Sequence, residues 1–150
     1  MEYLFQPLGI NDYHWKKTPG GWPDTEGGLY LKAEDLAKIG YLVLHEGVWE
    51  GQQIVPQEWV DEMTSPKVPD VSPEDPDWND GYGYQWWLLG DQAQGEPQVY
   101  GALGYGGQFL FIVPELDLIA VFNGWNIYGT RSSLVIDLFL EQILPAAGGS

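Results

Sequence analysis

Residues 98–122 read Gln98-Val99-Tyr100-Gly101-Ala102-Leu103-Gly104-Tyr105-Gly106-Gly107-Gln108-Phe109-Leu110-Phe111-Ile112-Val113-Pro114-Glu115-Leu116-Asp117-Leu118-Ile119-Ala120-Val121-Phe122, and the fold turns on this stretch. Gln108–Val113 and Leu118–Phe122 are rich in β-branched and aromatic residues, which fit a pleated, half-buried surface. Between them Pro114-Glu115-Leu116-Asp117 is turn chemistry, so the pair predicts an antiparallel hairpin. Gln98–Ala102 predicts a further strand. Gly104, Gly106 and Gly107 stand between it and the hairpin, where the absence of Cβ atoms permits a tight turn or a close approach by a ligand.

Working outward, Gly83-Tyr84-Gln85-Trp86-Trp87-Leu88-Leu89 reads as another aromatic strand, giving a sheet over residues 83–123. Upstream the period changes. Leu36, Ile39, Leu42 and Val43 form one apolar stripe, predicting a helix over about 33–46 with Gly47 as its C′ residue. Glu50-Gly51 marks a turn, and Pro56 opens a short helix over 57–63, where a missing first-turn N–H costs nothing. Apolar Leu134, Ile136, Leu138, Phe139, Leu140 and Ile143 predict a closing helix over about 130–144, ending before Pro145. The order implies an α+β fold, an antiparallel sheet flanked by helices. Residues 10–30, rich in Gly, Pro, Asp and Trp, read as loop. Residues 65–81, rich in proline and acids, read as a surface loop and candidate flap. Met1–Ile10 resembles the end of a helix running into Pro7-Leu8-Gly9, as though the chain began within a domain.

Composition narrows the functions. The 150 residues carry 22 acidic and 6 basic side chains, a formal charge of −16. That charge argues against nucleic acid, which needs a basic footprint, and against anionic membranes. It serves solubility, or it steers cationic substrates. There is no cysteine, so disulfides and thiolate metal sites are excluded. No apolar run reaches the length of a membrane-spanning helix, and the first residues lack a signal peptide's basic start. The compartment is left open.

The search for chemistry mostly eliminates. His14 and His45 lack metal-site spacing, so a structural or surface role is expected and no metal site is predicted. No phosphate or dinucleotide loop is present, and no cofactor is expected. The acids of the 70–80 stretch do not suggest a glycosidase pair. None of Ser65, Ser72, Ser132, Ser133 or Ser150 stands in Gly-x-Ser-x-Gly or has lysine three residues on. The glycine-bearing edge from Ala102 to Gln108 has two readings. It is a turn between strands, or a backbone edge whose N–H groups stabilise an oxyanion.

Ordered segments along the chain resemble one family. Leu4–Ile10 is similar to a helix end that family members carry. Gly27-Gly28-Leu29 with Asp35-Leu36-Ala37-Lys38-Ile39-Gly40 resembles a GGL-x5-DLAKxG segment. Gly51-Gln52-Gln53-Ile54-Val55-Pro56 with Trp59-Val60, then Gly81–Trp87, then Gln108–Asp117 complete the series. The chain resembles the C-terminal portion of serine hydrolases of the β-lactamase and penicillin-binding-protein type. These include class C β-lactamase-like esterases, DD-peptidases and amide hydrolases of the 6-aminohexanoate-dimer type.

The resemblance implies a partial β-lactamase/transpeptidase-like fold. It also implies an acyl-enzyme mechanism, in which a Ser-x-x-Lys serine attacks an ester or amide carbonyl with help from a Tyr-x-Asn/Ser tyrosine. Neither motif occurs in these residues, so both are expected upstream of Met1. The third family motif falls on Ala102-Leu103-Gly104, which makes the backbone N–H of Tyr105 the oxyanion donor. Ala102 replaces the usual cation, which favours esters or weakly charged amides over penicillin-like carboxylates. Ala102, Gly104, Gly106, Tyr84 and Trp86 are the expected substrate-binding residues, with Trp22 and Trp125 as further cleft aromatics. A small-molecule ester or amide is the expected partner. An incomplete sheet further implies a homo-oligomer or association with the missing N-terminal part, and the family implies a periplasmic or secreted location. Two other readings compete: a non-catalytic peptide or cell-wall binding module of the same fold, and a carbohydrate-binding module built on tryptophans.

Overall fold

Phe109, Leu110, Phe111, Ile112 and Val113 are all buried, so this strand has protein on both faces. The computed structural model describes residues 2–25, 27–69, 81–90, 95–125, 127 and 134–148. Its main sheet has five antiparallel strands in sequence order: β5 (Gly81–Tyr82), β6 (Trp87–Leu89), β7 (Val99–Gly104), β8 (Gln108–Val113) and β9 (Leu118–Asn123). Two short hairpins lie outside it, β1 (His14–Trp15) with β2 (Leu29–Tyr30) and β3 (Val48–Trp49) with β4 (Gln52–Gln53). The mixed helical and antiparallel architecture agrees with the α+β expectation.

Alternation along each strand sorts the side chains onto two faces. Trp87, Leu89, Val99, Leu103, Phe109, Phe111, Val113, Ala120 and Phe122 face the C-terminal helix, where Phe139 stacks on Phe111 at 4.1 Å between ring centroids. Tyr100, Ala102, Leu110, Ile112, Ile119 and Val121 face α1 (Ala33–Leu44) and α2 (Gln57–Met63) through Val43, Leu44, Val60 and Met63. The sheet is therefore the middle of three layers. Gly40 lets α1 approach closely, because a Cβ there would lie 2.9 Å from Leu110 Cδ1 and 3.0 Å from Ile119 Cγ2. A third cluster, Phe5, Leu8, Ile10 and Leu42, fastens the first residues to α1.

The helix ends follow hydrogen-bond chemistry. The Ile10 N–H donates to the Phe5 carbonyl (2.8 Å) and the Gly9 N–H to that of Gln6 (3.1 Å), with Gly9 at φ 64. This is the Schellman pattern, and it agrees with the helix end read in the sequence. The same pattern ends α1, with one difference from expectation. Glu46, not Gly47, takes the C′ position at φ 53. Gly47 is required for another reason, since a Cβ there would fall 1.9 Å from the Val55 carbonyl oxygen. Glu50 and Gly51, at φ 47 and 80, form the two-residue turn of the β3–β4 hairpin.

Two further boundaries depart from the sequence reading. Gly83–Leu89 is not one strand: Gly83–Trp86 is a turn, with Gln85 at φ 66, joining β5 to β6. At that break the chain bonds to the end of α2 instead of a strand, the Tyr84 N–H donating to the Met63 carbonyl (2.9 Å), and only glycine fits at 83, where a Cβ would lie 2.1 Å from the same oxygen. The C-terminal helix runs through Pro145 to Gly148 rather than stopping before the proline. Phe139–Ile143 widens into a π-turn, the Leu144 N–H bonding back to the Phe139 carbonyl, and this wider turn accommodates the proline ring. The expected start of this helix near residue 130 and most of the 65–81 loop lie outside the described residues.

Candidate functional site

The ladder register gathers three features at one end of the sheet. Trp87 pairs with Gly101, Gly104 with Gln108, and Gln108 with Asn123. The Gly83–Trp86 turn, the Tyr105–Gly107 turn and the residues after Asn123 therefore share that end. Gly106 and Gly107 both have positive φ, 80 and 87, which only glycine adopts at little cost. Gly104 is needed for proximity, because its Cβ would sit 2.9 Å from the Gln108 carbonyl oxygen.

Tyr105 stands at the first position of this three-residue turn, its side chain 81% exposed. Its hydroxyl donates to the Ile127 carbonyl at 2.9 Å. Among the described residues no acceptor takes its backbone N–H. A backbone N–H presented at a glycine turn is the kind of group that stabilises developing negative charge on a carbonyl oxygen. The Gly124 N–H donates to the Gly107 carbonyl at 2.9 Å, and the Gln108 carboxamide Nε2 donates to the Gly124 carbonyl. These two bonds couple the turn to the end of β9.

The other expected site residues divide. Ala102 is half-buried, its methyl packed with the cluster of Val60, Trp86 and Leu110. Trp86 is 8% exposed within that same cluster, so packing accounts for it and no face is open to a substrate. The Gly106 carbonyl is directed at Gly124, lying 2.6 Å from where a Cβ of that residue would be. Tyr84 is 47% exposed, stacked on Trp59 at 5.6 Å with Lys67 Nζ 5.3 Å from its ring centroid. Trp125, 79% exposed, directly follows Gly124 at the site end. Trp22, also exposed, stands on the loop joining β1 and β2.

Tyr100, on the α1–α2 face at the end of β7 away from the turn, has its phenol pKa raised mainly by burial, with a bond to the Thr64 side chain acting in the opposite sense. Lys32 holds the Asp12 carboxyl below its usual range by hydrogen bond and charge, at the surface. His14 and His45 pack against Tyr30 and Tyr41 respectively. Among the described residues no group of three or more His, Asp or Glu side chains could hold a metal, and no helix is long and apolar enough to cross a membrane. Two open hollows of about 510 Å³, beside Tyr41 and Phe5, are lined by none of the turn residues.

Sequence reasoning passed over Gln108 as a side chain, and over Gly124. A signal for both was present. Strands β8 and β9 have equal length about a short turn, which places the residue after β9 opposite the one before β8.

The mixed helical and antiparallel fold is β-lactamase-like, and the β-lactamase family model matches residues 1–125: the chain belongs to the β-lactamase family. It is 32% identical over 140 residues to an uncharacterized protein of Alkalihalophilus pseudofirmus, covering 87% of this chain and 38% of that protein. It is 27% identical over 134 residues to the 6-aminohexanoate-dimer hydrolase of Paenarthrobacter ureafaciens, covering 79% of this chain and 32% of the hydrolase. The chain thus spans about a third of the length of the curated relatives it matches. A solved Bacillus anthracis structure, provisionally named a 6-aminohexanoate-dimer hydrolase, superposes with a TM-score of 0.78 at 22% identity, over 97% of this chain and 36% of that one. A Bacteroides dorei structure provisionally named a β-lactamase gives 0.64 at 21%, over 93% and 49%. These two likenesses establish the shared fold. The relatives favour the hydrolase reading over a non-catalytic binding module.

Proposed function

We propose that this chain supplies the oxyanion-stabilising wall of a serine hydrolase that cleaves ester or amide bonds through an acyl-enzyme. In this reading it is the C-terminal part of the catalytic domain. The nucleophile-bearing Ser-x-x-Lys and Tyr-x-Asn/Ser motifs belong to a segment N-terminal to these residues. The observation that carries the reading is the backbone N–H of Tyr105, unpaired among the described residues on a turn held from both sides.

Attack of a serine oxygen on the substrate carbonyl carbon breaks the C=O π bond and turns the carbonyl oxygen into an alkoxide. A preorganised N–H at about 2.7–3.1 Å stabilises it, and losing one such donor lowers kcat by roughly 10²–10³. Gly104, ahead of Tyr105, lets a carbonyl approach the edge of β7 without meeting a Cβ. The Ala102 methyl offers no charge to a substrate carboxylate, and a net charge of −16 repels anions, so neutral esters and amides are favoured. The name of the Paenarthrobacter relative, hydrolase of an aminohexanoate dimer, is compatible with a linear amide substrate.

The outer edge of β9 ends the sheet and pairs with no other strand among the described residues. Open edges recruit strands, so the reading includes a homo-oligomer or a complementary N-terminal segment as partner. Size-exclusion chromatography showing a stable, cooperatively folded monomer counts against that part. A p-nitrophenyl ester assay tests the rest. Hydrolysis is expected only when the Ser-x-x-Lys segment is joined or added. Turnover by the 150 residues alone, or none with the segment present, overturns it.

A further inference from the structure

The Tyr105–Gly107 turn is held by more than its own hairpin. Gly124 gives its N–H to the Gly107 carbonyl, and its own carbonyl receives the Gln108 carboxamide. A third bond runs from the Tyr105 hydroxyl to the Ile127 carbonyl. The backbones abut so closely that a Cβ on Gly124 would lie 2.6 Å from the Gly106 oxygen and 2.8 Å from that of Gly107. Trp125, 79% exposed, sits between the two points of attachment.

Resting on the hydrolase reading, we propose that Gln108 is a positioning residue, whose carboxamide clamps Gly124 to the turn and so fixes the Tyr105 N–H and, through the backbone next to Gly124, the exposed Trp125 ring as an apolar wall at that end of the sheet. Gln108 is exposed, so filling a core does not account for it. Its amide is a donor placed on a backbone carbonyl at the open end of the sheet. Tyr105 and Trp125 are exposed aromatics attached to the clamped unit, and the two rings bring large apolar area without charge. A wall of that chemistry selects esters and amides with an extended, uncharged acyl chain over small or anionic ones.

The test uses Q108E, which keeps the shape but presents a carboxylate to the Gly124 carbonyl, and Q108K, which keeps an N–H donor of similar reach. In the 150-residue chain, amide exchange is expected to show Gly124 protection falling about tenfold in Q108E, as for one lost hydrogen bond. Protection at Leu110 and Ile112 stays at the wild-type level, and Q108K retains both. With the nucleophile-bearing segment present, Q108E is expected to lower kcat and the preference for p-nitrophenyl hexanoate over acetate, while Q108K preserves them. Unchanged Gly124 protection in Q108E overturns the clamp. Equal loss at Leu110 and Ile112 also overturns it, by showing a general structural role. An unaltered hexanoate preference in Q108E overturns the wall. Lost Gly124 protection in a protein whose wild type hydrolyses nothing leaves the clamp standing and removes the hydrolase reading instead.

Discussion

Replacing Gly40 by alanine sets two effects of known size against each other. Gly40 lies in the third turn of α1, so alanine there gains about 1 kcal/mol of helix propensity. The new methyl, however, would lie 2.9 Å from Leu110 Cδ1 and 3.0 Å from Ile119 Cγ2, inside ordinary carbon contact distances. Leu110 is fully buried on β8, between β7 and β9, and Ile119 is β-branched with a stiff χ1, so neither can swing aside freely. Forcing a methylene-sized group into such a contact costs typically about 1–3 kcal/mol. The cost therefore wins, and G40A is expected to lose about 1 kcal/mol. Urea unfolding followed by tryptophan fluorescence reads this as a lower midpoint with an unchanged slope, a drop of about 0.3–1 M. G40V, which adds two more carbons and loses propensity, falls further. If G40A matches or exceeds the wild type, α1 does not lie against β8 and β9 as closely as described.

Removing Phe139, whose ring is buried against Phe111, leaves a cavity where the π-turn meets the sheet, and F139A is expected to cost about 3–5 kcal/mol in the same assay. A loss below about 1 kcal/mol would mean that the C-terminal helix does not cover that face. Burial raises the Tyr100 phenol, so its neutral form is favoured by folding. That contribution is complete below the free tyrosine pKa of about 10 and fades as pH rises through the folded value. Ultraviolet titration should show a late component that Y100F removes; synchronous titration of every tyrosine would contradict it. G124A should disturb the Tyr105 and Gly107 amide resonances before the global melt changes, because its methyl meets two turn carbonyls. Unperturbed resonances would separate β9 from the turn.

Much of this protein follows from local pattern. Gln108–Val113 and the stripe Leu36, Ile39, Leu42, Val43 carry periods of two and 3.6 residues, and each period dictates its element wherever the residues sit. Turns whose chemistry is local, such as Glu50-Gly51 and Pro114–Asp117, were equally legible. The oxyanion assignment of Tyr105 came from an ordered resemblance, since three glycines alone suit an ordinary turn as well. What pattern could not supply is whatever depends on a neighbour distant in the chain. Gly83-Tyr84-Gln85-Trp86-Trp87 has strand composition throughout, yet the Tyr84 N–H is given to the Met63 carbonyl at the end of α2. Gly47 looks like a helix cap and is instead held by Val55, while Glu46 takes the left-handed position. Trp86 has the composition of a cleft aromatic and lies in the core, because the turn before β6 directs it beneath α2. The clamp on the glycine turn likewise exists only when β9 has folded back beside β8. Sequence by itself determined which segments could be helix, strand and turn, because periodicity and φ preference are properties of single segments. Tertiary structure alone decided which glycines are crowded, which aromatics are buried and what holds the Tyr105 amide, because each depends on atoms that packing brings together.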